Sequence, residues 1–188
     1  MLSFDDYHKG NDYIADICKG LEKETIFFID FNDKDSKSQI ERLHKKGFQI
    51  GSHTLTHALL TRIPLEEAKY EIEESKAEIE MITGKCDWFC YPRGYYNEDI
   101  IKLVKEAGYK YARTTLFKDG KTLYEKGAFH LSYPREEYRG INPFQLARIT
   151  KLNHYWGHAV EFERYNTWDL FEKFIKWYRD ELPKTSNN

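Results

Sequence analysis

The sequence predicts an α/β fold carried by a parallel sheet or barrel, on three observations. Short apolar runs rich in β-branched and aromatic residues alternate with amphipathic stretches along the chain. Glycines stand just past several amphipathic stretches, where helices end. Titratable residues gather immediately after the apolar runs, and folds of this kind place chemistry at the C-terminal ends of their strands. At 188 residues the chain is long enough for one domain with a real core and short for two. A single domain over residues 1–183 and a polar tail over 184–188 are expected.

The elements follow in order. Leu2–Phe4 reads as a first strand and Asp12–Leu21 as a helix with Gly20 near its end. Thr25–Phe31 is β-branched and aromatic and reads as a buried strand. Ser38–Lys46 is a helix stopped by Gly47, and Phe48–Gly51 is the next strand, with His53 just past it. Leu65–Ile82 is the clearest helix: Leu65, Ala68, Ile72, Ser75, Ile79 and Ile82 repeat at three-four spacing, and Glu and Lys fill the other face. The stripe lasts only about two and a half heptads, so a helix packed on a sheet is preferred to a coiled coil. Trp88–Tyr91 is a short strand and Pro92-Arg93-Gly94 a turn. Asn97 caps a helix that runs through Ala107 to Gly108. Tyr109–Thr115, Phe129–Tyr133 and Leu152–Trp156 read as strands, and Trp168–Leu182 as a final helix.

Composition narrows the function. The 29 basic and 31 acidic residues leave a net charge of −2, which gives no basic field for nucleic acid. No run is apolar enough for a membrane span and no signal peptide precedes Phe4, so a cytoplasmic location is expected. Cys18, Cys86 and Cys90 contain no CxxC pair, which excludes zinc-ribbon and thioredoxin-like arrangements. Cys86 and Cys90 read as small buried thiols near one strand.

His53 and His57 stand four apart after a glycine, a spacing that brings both imidazoles to one face of a helical turn. Two histidines with one carboxylate and an open position form a recurring catalytic metal arrangement. Asp5 and Asp6 offer the carboxylate, and an extended chain would point their side chains to opposite sides. Two adjacent anions repel unless a cation offsets them. The bland alternatives are a pair of surface histidines and a pair of solvated loop aspartates.

At this point the chain resembles a known family. "LSFDDYHKG" is similar to the first motif of the polysaccharide deacetylases, the NodB-homology enzymes of carbohydrate esterase family 4. "GFQIGSHTLTH" resembles the second, "TGKCDWFCYPRGYYNEDI" the third, and "YWGHAVEF" the late histidine motif. The resemblance implies a distorted (β/α)7-type barrel. It implies that Asp6, His53 and His57 hold one divalent metal ion, that Asp5 is the general base, and that His158 is the general acid. It places an oxyanion donor at the backbone N–H of Arg93, within the turn that includes Pro92 and Gly94. The expected reaction is hydrolysis of the N-acetyl group of an amino sugar in a polysaccharide or glycan intermediate. Zinc suits two imidazoles and one carboxylate, and cobalt, nickel or iron can occupy such a site. Tyr91 and Trp156 are candidates to stack on a sugar ring.

The match has two gaps. Family members often carry an arginine in the third motif that pairs with the base, and Cys90 stands at that position. Arg113, at the next strand end, is the preferred substitute, with Arg93 the alternative. The family's fourth motif is absent after Tyr111, so Glu161 or Asp169 is left to orient His158. Two other functions stay open: an O-acetyl esterase or small-amide hydrolase with the same site, and an inactive carbohydrate-binding domain.

Overall fold

The computed structural model describes residues 1–114, 130–131 and 155–185. Among them seven strands form one parallel sheet: β1 (Leu2–Asp5), β2 (Thr25–Ile29), β3 (Gln49–Ser52), β4 (Trp88–Cys90), β5 (Tyr111–Arg113), β6 (His130–Leu131) and β7 (Tyr155–His158). Their order across the sheet is β6-β5-β4-β3-β2-β1-β7. The sheet curls into a half-barrel, as the expected barrel class requires. Six helices among the described residues accompany it: α1 (Asn11–Ile17), α2 (Ser36–Lys45), α3 (Leu65–Thr83), α4 (Glu98–Glu106), α5 (Ala159–Tyr165) and α6 (Trp168–Thr185).

The two-residue period of β1 sorts its side chains between the faces of the sheet. Leu2 and Phe4 enter the main core, where the Phe4 ring lies 5.6 Å from both Phe27 and Phe171. Asp5 belongs to the other face, which also carries a small apolar group of Ile26, Phe28 and Cys90 flanked by Trp88. Register then aligns the chemistry. Asp5 is paired with Phe28 on one side and His158 on the other, and Cys90 is paired with Arg113. The C-terminal ends of β1, β4, β5 and β7 therefore open onto one place.

Helix signals were mostly sound and their limits shifted by local chemistry. Asn97 Oδ1 accepts the Ile100 N–H at 2.9 Å and starts α4. Gly84 ends α3 at φ 78°, in the left-handed region that favours glycine. On α3 the buried face holds Ala68, Glu71, Ile72, Ser75 and Ile79, whereas Leu65 is exposed. Helix α1 stops at Ile17, short of the expected Leu21, because Cys18 leaves helical geometry and the Leu21 N–H turns back to the Cys18 carbonyl.

The strand ends needed more correction. β5 begins at Tyr111, since Tyr109 instead packs in the core with its hydroxyl on the Ile72 carbonyl. β7 continues through Gly157 to His158, so His158 is the last strand residue and not a loop residue beyond it. Tyr155 faces Phe174 and Tyr178 of α6, which sets this register; residues 152–154 lie outside the described set. Of the strand expected at Phe129–Tyr133, His130–Leu131 is described, and the rest lies outside. Helix α5 was not expected, and α6 runs past Leu182 to Thr185. No helix among the described residues is long and apolar enough to cross a membrane.

Gly51 on β3 allows the closest approach in the sheet. A Cβ built there would meet the Phe28 ring at 2.5 Å and the Trp88 carbonyl oxygen at 3.0 Å. Overpacking of this kind costs about 1–3 kcal/mol. Gly51→Ala is therefore expected to lower the urea midpoint by that much stability, without change in the denaturant slope.

Candidate active site

Four strand ends and two loops bring the site residues together. Asp5 ends β1 and is buried at 2 % exposure. Asp6 follows at φ 68°, so the chain leaves the strand in a left-handed turn. This overturns the extended geometry expected for the pair. Both carboxylates face one cluster: Nε2 of His158 lies 3.9 Å from Asp5 Oδ2 and 3.9 Å from Asp6 Oδ2.

His53 and His57 also differ from their expected geometry. They do not lie on a helical turn. Residues 53–59 follow β3 as a loop, and Thr54 (φ 67°) and His57 (φ 55°) hold left-handed backbones. The loop still directs both rings to one point. Asp6 Oδ1 is 3.3 Å from His53 Nε2 and 3.5 Å from His57 Nε2, and the ring centroids are 4.8 Å apart. His53 is buried, and its Nδ1 lies 2.8 Å from the Cys90 carbonyl oxygen. That carbonyl can only accept, so Nδ1 carries a proton and Nε2 is the ring nitrogen turned toward Asp6. A backbone carbonyl on one ring nitrogen is the usual support of a metal-ligating histidine.

The electrostatics of Asp6 and His57 suit a cation, whereas at His53 burial disfavours the imidazolium but Cys90 and Asp6 outweigh it and raise its pKa, so a metal there would displace a proton. Burial works against the Asp6 charge, but the His53 hydrogen bond and the charges of His53, His158 and His57 prevail, holding its carboxyl well below the usual range. Burial and the neighbouring His53 push His57 below its ordinary value, which keeps its ring neutral and its lone pair available. One carboxylate oxygen and two imidazole nitrogens, all within 4.8 Å of one another, fit the donor set of a divalent transition metal.

Asp5 has a different partner. Arg113 Nη2 bonds to Asp5 Oδ2 and lies 2.9 Å from Cys90 Sγ. The guanidinium is fully buried, with its Cζ 5.3 Å from the Phe28 ring and 5.0 Å from the Trp156 ring. The register pair Cys90–Arg113 explains the geometry. An arginine on β5 reaches across one strand into the space beside a small thiol on β4. Of the two arginines weighed for this place, Arg93 is exposed, whereas Arg113 contacts Asp5.

His158 is held from behind. Its Nδ1 lies 3.2 Å from Glu161 Oε2, one turn into α5. Burial disfavours the imidazolium, but the Glu161 hydrogen bond and the charges of Asp5, Glu161 and Asp6 outweigh it and raise the His158 pKa. Glu161 is lowered in return: burial opposes its charge, and the bond and charge of His158 overcome that. Between the two orienting residues considered, the geometry selects Glu161, because helix α5 begins at Ala159 and puts it three residues from His158.

The expected sugar contacts fare less well. Tyr91 is fully buried among Phe89 and Tyr96, so its ring is closed off from solvent. Pro92 and Gly94 are buried in the turn after β4, and only Arg93, at φ 56°, is exposed there. Trp156 lies over Arg113 and edge-on to His158 at 5.5 Å. His8 bonds to the Gly10 N–H and reaches Glu163 at 3.3 Å, a local tie between the β1–α1 loop and α5. Two buried acids escaped sequence reasoning. Asp30 accepts the Tyr7 and Asn32 N–H groups, and Glu71 accepts those of Leu55 and Thr56. Asp30 offered a partial signal as an acid directly after an apolar strand; Glu71 lay within a helix rich in acids.

Residues 1–112 match the profile of the family described as polysaccharide deacetylase. The chain belongs to that family. It is 29% identical over 98 residues to a peptidoglycan-N-acetylglucosamine deacetylase of Bacillus cereus, covering 52% of this chain and 46% of that protein. The chain spans about half the length of the curated relatives it matches. Among solved structures, a polysaccharide deacetylase from Bacillus cereus is similar at TM-score 0.58 and 25% identity, over 69% of this chain and 44% of the other. The Streptococcus pyogenes deacetylase PplD gives 0.60 at 18% identity, over 69% and 61%. A CE4 family pseudoenzyme from Bacillus anthracis gives 0.67 at 15% identity, over 96% and 60%. The last two show a shared fold.

Removing one partner of a buried ion pair strands the other charge and costs about 3–5 kcal/mol. Arg113→Ala is expected to lose that much stability in chemical denaturation. A variant as stable as the parent would show that Asp5 does not depend on the guanidinium.

Proposed function

We propose that the protein is a metal-dependent hydrolase that removes the N-acetyl group from an amino sugar of a polysaccharide or glycan intermediate. The observation that carries this reading is a division of labour at one cluster. Asp6 turns toward two imidazole nitrogens, while Asp5, its neighbour, is bound to a buried arginine. Membership of the polysaccharide deacetylase family supports the same reading.

In this scheme Asp6, His53 and His57 hold the cation, with zinc the best match to the donors. A divalent cation there supplies Lewis-acid polarisation of the amide carbonyl and of water. The protein's own groups do the rest. Asp5 takes the proton of the attacking water as the new carbon–oxygen bond forms. Arg113 keeps the Asp5 carboxylate oriented and offsets its charge. The turn at Arg93, whose charge is felt at His57, offers the backbone donor for the developing oxyanion. His158 passes its Nε2 proton to the nitrogen as the carbon–nitrogen bond breaks, leaving acetate and a free amine. Glu161 holds the opposite ring nitrogen and stabilises the protonated form. An alcohol leaving group needs that acid less than an amine does, so the supported imidazolium favours the N-acetyl over the O-acetyl substrate. A binding-only domain has no use for a base tied to a buried guanidinium, which favours the enzyme reading over an inactive one.

Three outcomes are expected. Metal analysis should find about one zinc per chain, lost in His53→Ala and declining at acidic pH as protons compete for the imidazoles. Acetate release from N-acetylated glycans should fall by about 10²–10⁴-fold in Asp5→Asn; sugar binding without acetate release by the zinc-loaded parent would instead indicate a binding domain. Because His158 is raised, its protonated form persists above the ordinary histidine range and activity is lost as pH rises through that higher value. Glu161→Gln removes part of the raising influence, so the alkaline limb of the rate profile should move to lower pH.

A further inference from the structure

We infer that Glu71 of α3 is a positioning residue: its buried carboxylate holds the His53–His57 loop in shape and so sets how tightly the two histidines take a divalent cation. The inference rests on the metal-site reading above.

The loop has no regular structure to support it. Thr54 and His57 both sit at positive φ, a strained conformation for non-glycine residues that persists only where surroundings enforce it. The enforcing bonds come from one face of α3. Glu71 Oε2 accepts the N–H groups of Leu55 and Thr56, both at 2.9 Å, and Oε1 accepts the Thr56 hydroxyl at 2.7 Å. One turn along the helix, Ser75 Oγ lies 2.7 Å from Ser52 Oγ, which in turn accepts the Thr54 N–H at 3.1 Å. Three successive loop N–H groups are thus satisfied from a single helix, directly or through Ser52.

Glu71 is 6 % exposed, and among the described residues no basic side chain pairs with it within 4.0 Å. A carboxylate buried without a cation is expensive unless hydrogen bonds compensate it. Its three known partners all lie between the two histidines. The loop is also anchored from the segment just after β2, where the Phe31 N–H reaches the Leu55 carbonyl at 2.8 Å. That bond fixes the middle of the loop but leaves its N–H side to Glu71.

Cobalt(II) titration reports the site directly, through visible absorption and competition with a chromophoric chelator. Glu71→Asp keeps the charge and shortens the reach; Glu71→Gln keeps the reach and removes the charge. Supporting groups of this sort are worth about 10–100-fold in metal affinity. Glu71→Asp is expected to weaken cobalt binding by that factor and alter the absorption band, whereas Glu71→Gln stays within a few-fold of the parent. Ile40→Val, a core change on α2, serves as a control that lowers stability with affinity unchanged. If Glu71→Asp does not fold, Thr56→Val removes one of the three bonds and is expected to give a smaller loss. Parent-like affinity in a folded Glu71→Asp, or in Thr56→Val where that variant takes its place, overturns the inference and leaves the ligand set standing. A parent protein that takes no cobalt, or binds it equally after His53→Ala, overturns the metal-site reading and this inference with it.

Discussion

The buried pair of Asp5 and Arg113 is the constraint around which the strand ends are organised. A guanidinium with no exposed surface is costly to desolvate, and the cost is offset only by complete surroundings. Here β1 supplies the carboxylate, β4 the sulfur, and β2 and β7 the two aromatic rings. Five strands must therefore end at matching heights for the charge to be accommodated. The same alignment puts His158 beside Asp5 and leaves Asp6 to turn outward toward the histidines. Phe28 reaches its place over the guanidinium because Gly51 on the next strand presents no side chain to it. A position with no chemistry of its own thus bears on the geometry of Asp5.

Strain and support are distributed unequally around the site. The strands contribute rigid positions, and the carboxylates and rings on them are fixed by register. Two of the departures from regular backbone, at Asp6 and at the His53–His57 loop, lie where side chains converge from different directions. Each is tied by a buried acid that is absent from the chemistry. Asp30 accepts the Tyr7 N–H next to Asp6, and Glu71 accepts the N–H groups between the histidines. Acids at this protein's site thus divide into those that face the histidines and Arg113 and those that hold backbone.

Much of this was legible in the sequence, for identifiable reasons. The β2 run, the α3 stripe, the Asn97 cap and the Gly84 stop all depend on local periodicity or local conformation. The strand-end placement of the aspartates and of His53 followed from alternation alone. What was hidden depends on contacts distant in the chain. Glu71 looks like a solvent-facing helix acid, because nothing nearby announces the loop N–H groups that bury it. Tyr91 looks like a sugar platform beside the turn, and only the packing of Phe89 and Tyr96 shows that it faces inward. The histidine spacing suggested a helical face, yet left-handed backbone at Thr54 and His57 produces the convergence. The last strand read as ending at Trp156, although β7 needs two more residues to bring His158 level with Asp5.

The register pair of Cys90 and Arg113 couples two positions distant in the chain. Positive charge reaches Asp5 from β5 through a space that the small thiol on β4 leaves open. A second guanidinium at position 90 would share that dry space with the first, and loss of Arg113 would leave Asp5 without its cation. The two residues therefore act as one unit, and the effects of changing them depart from additivity.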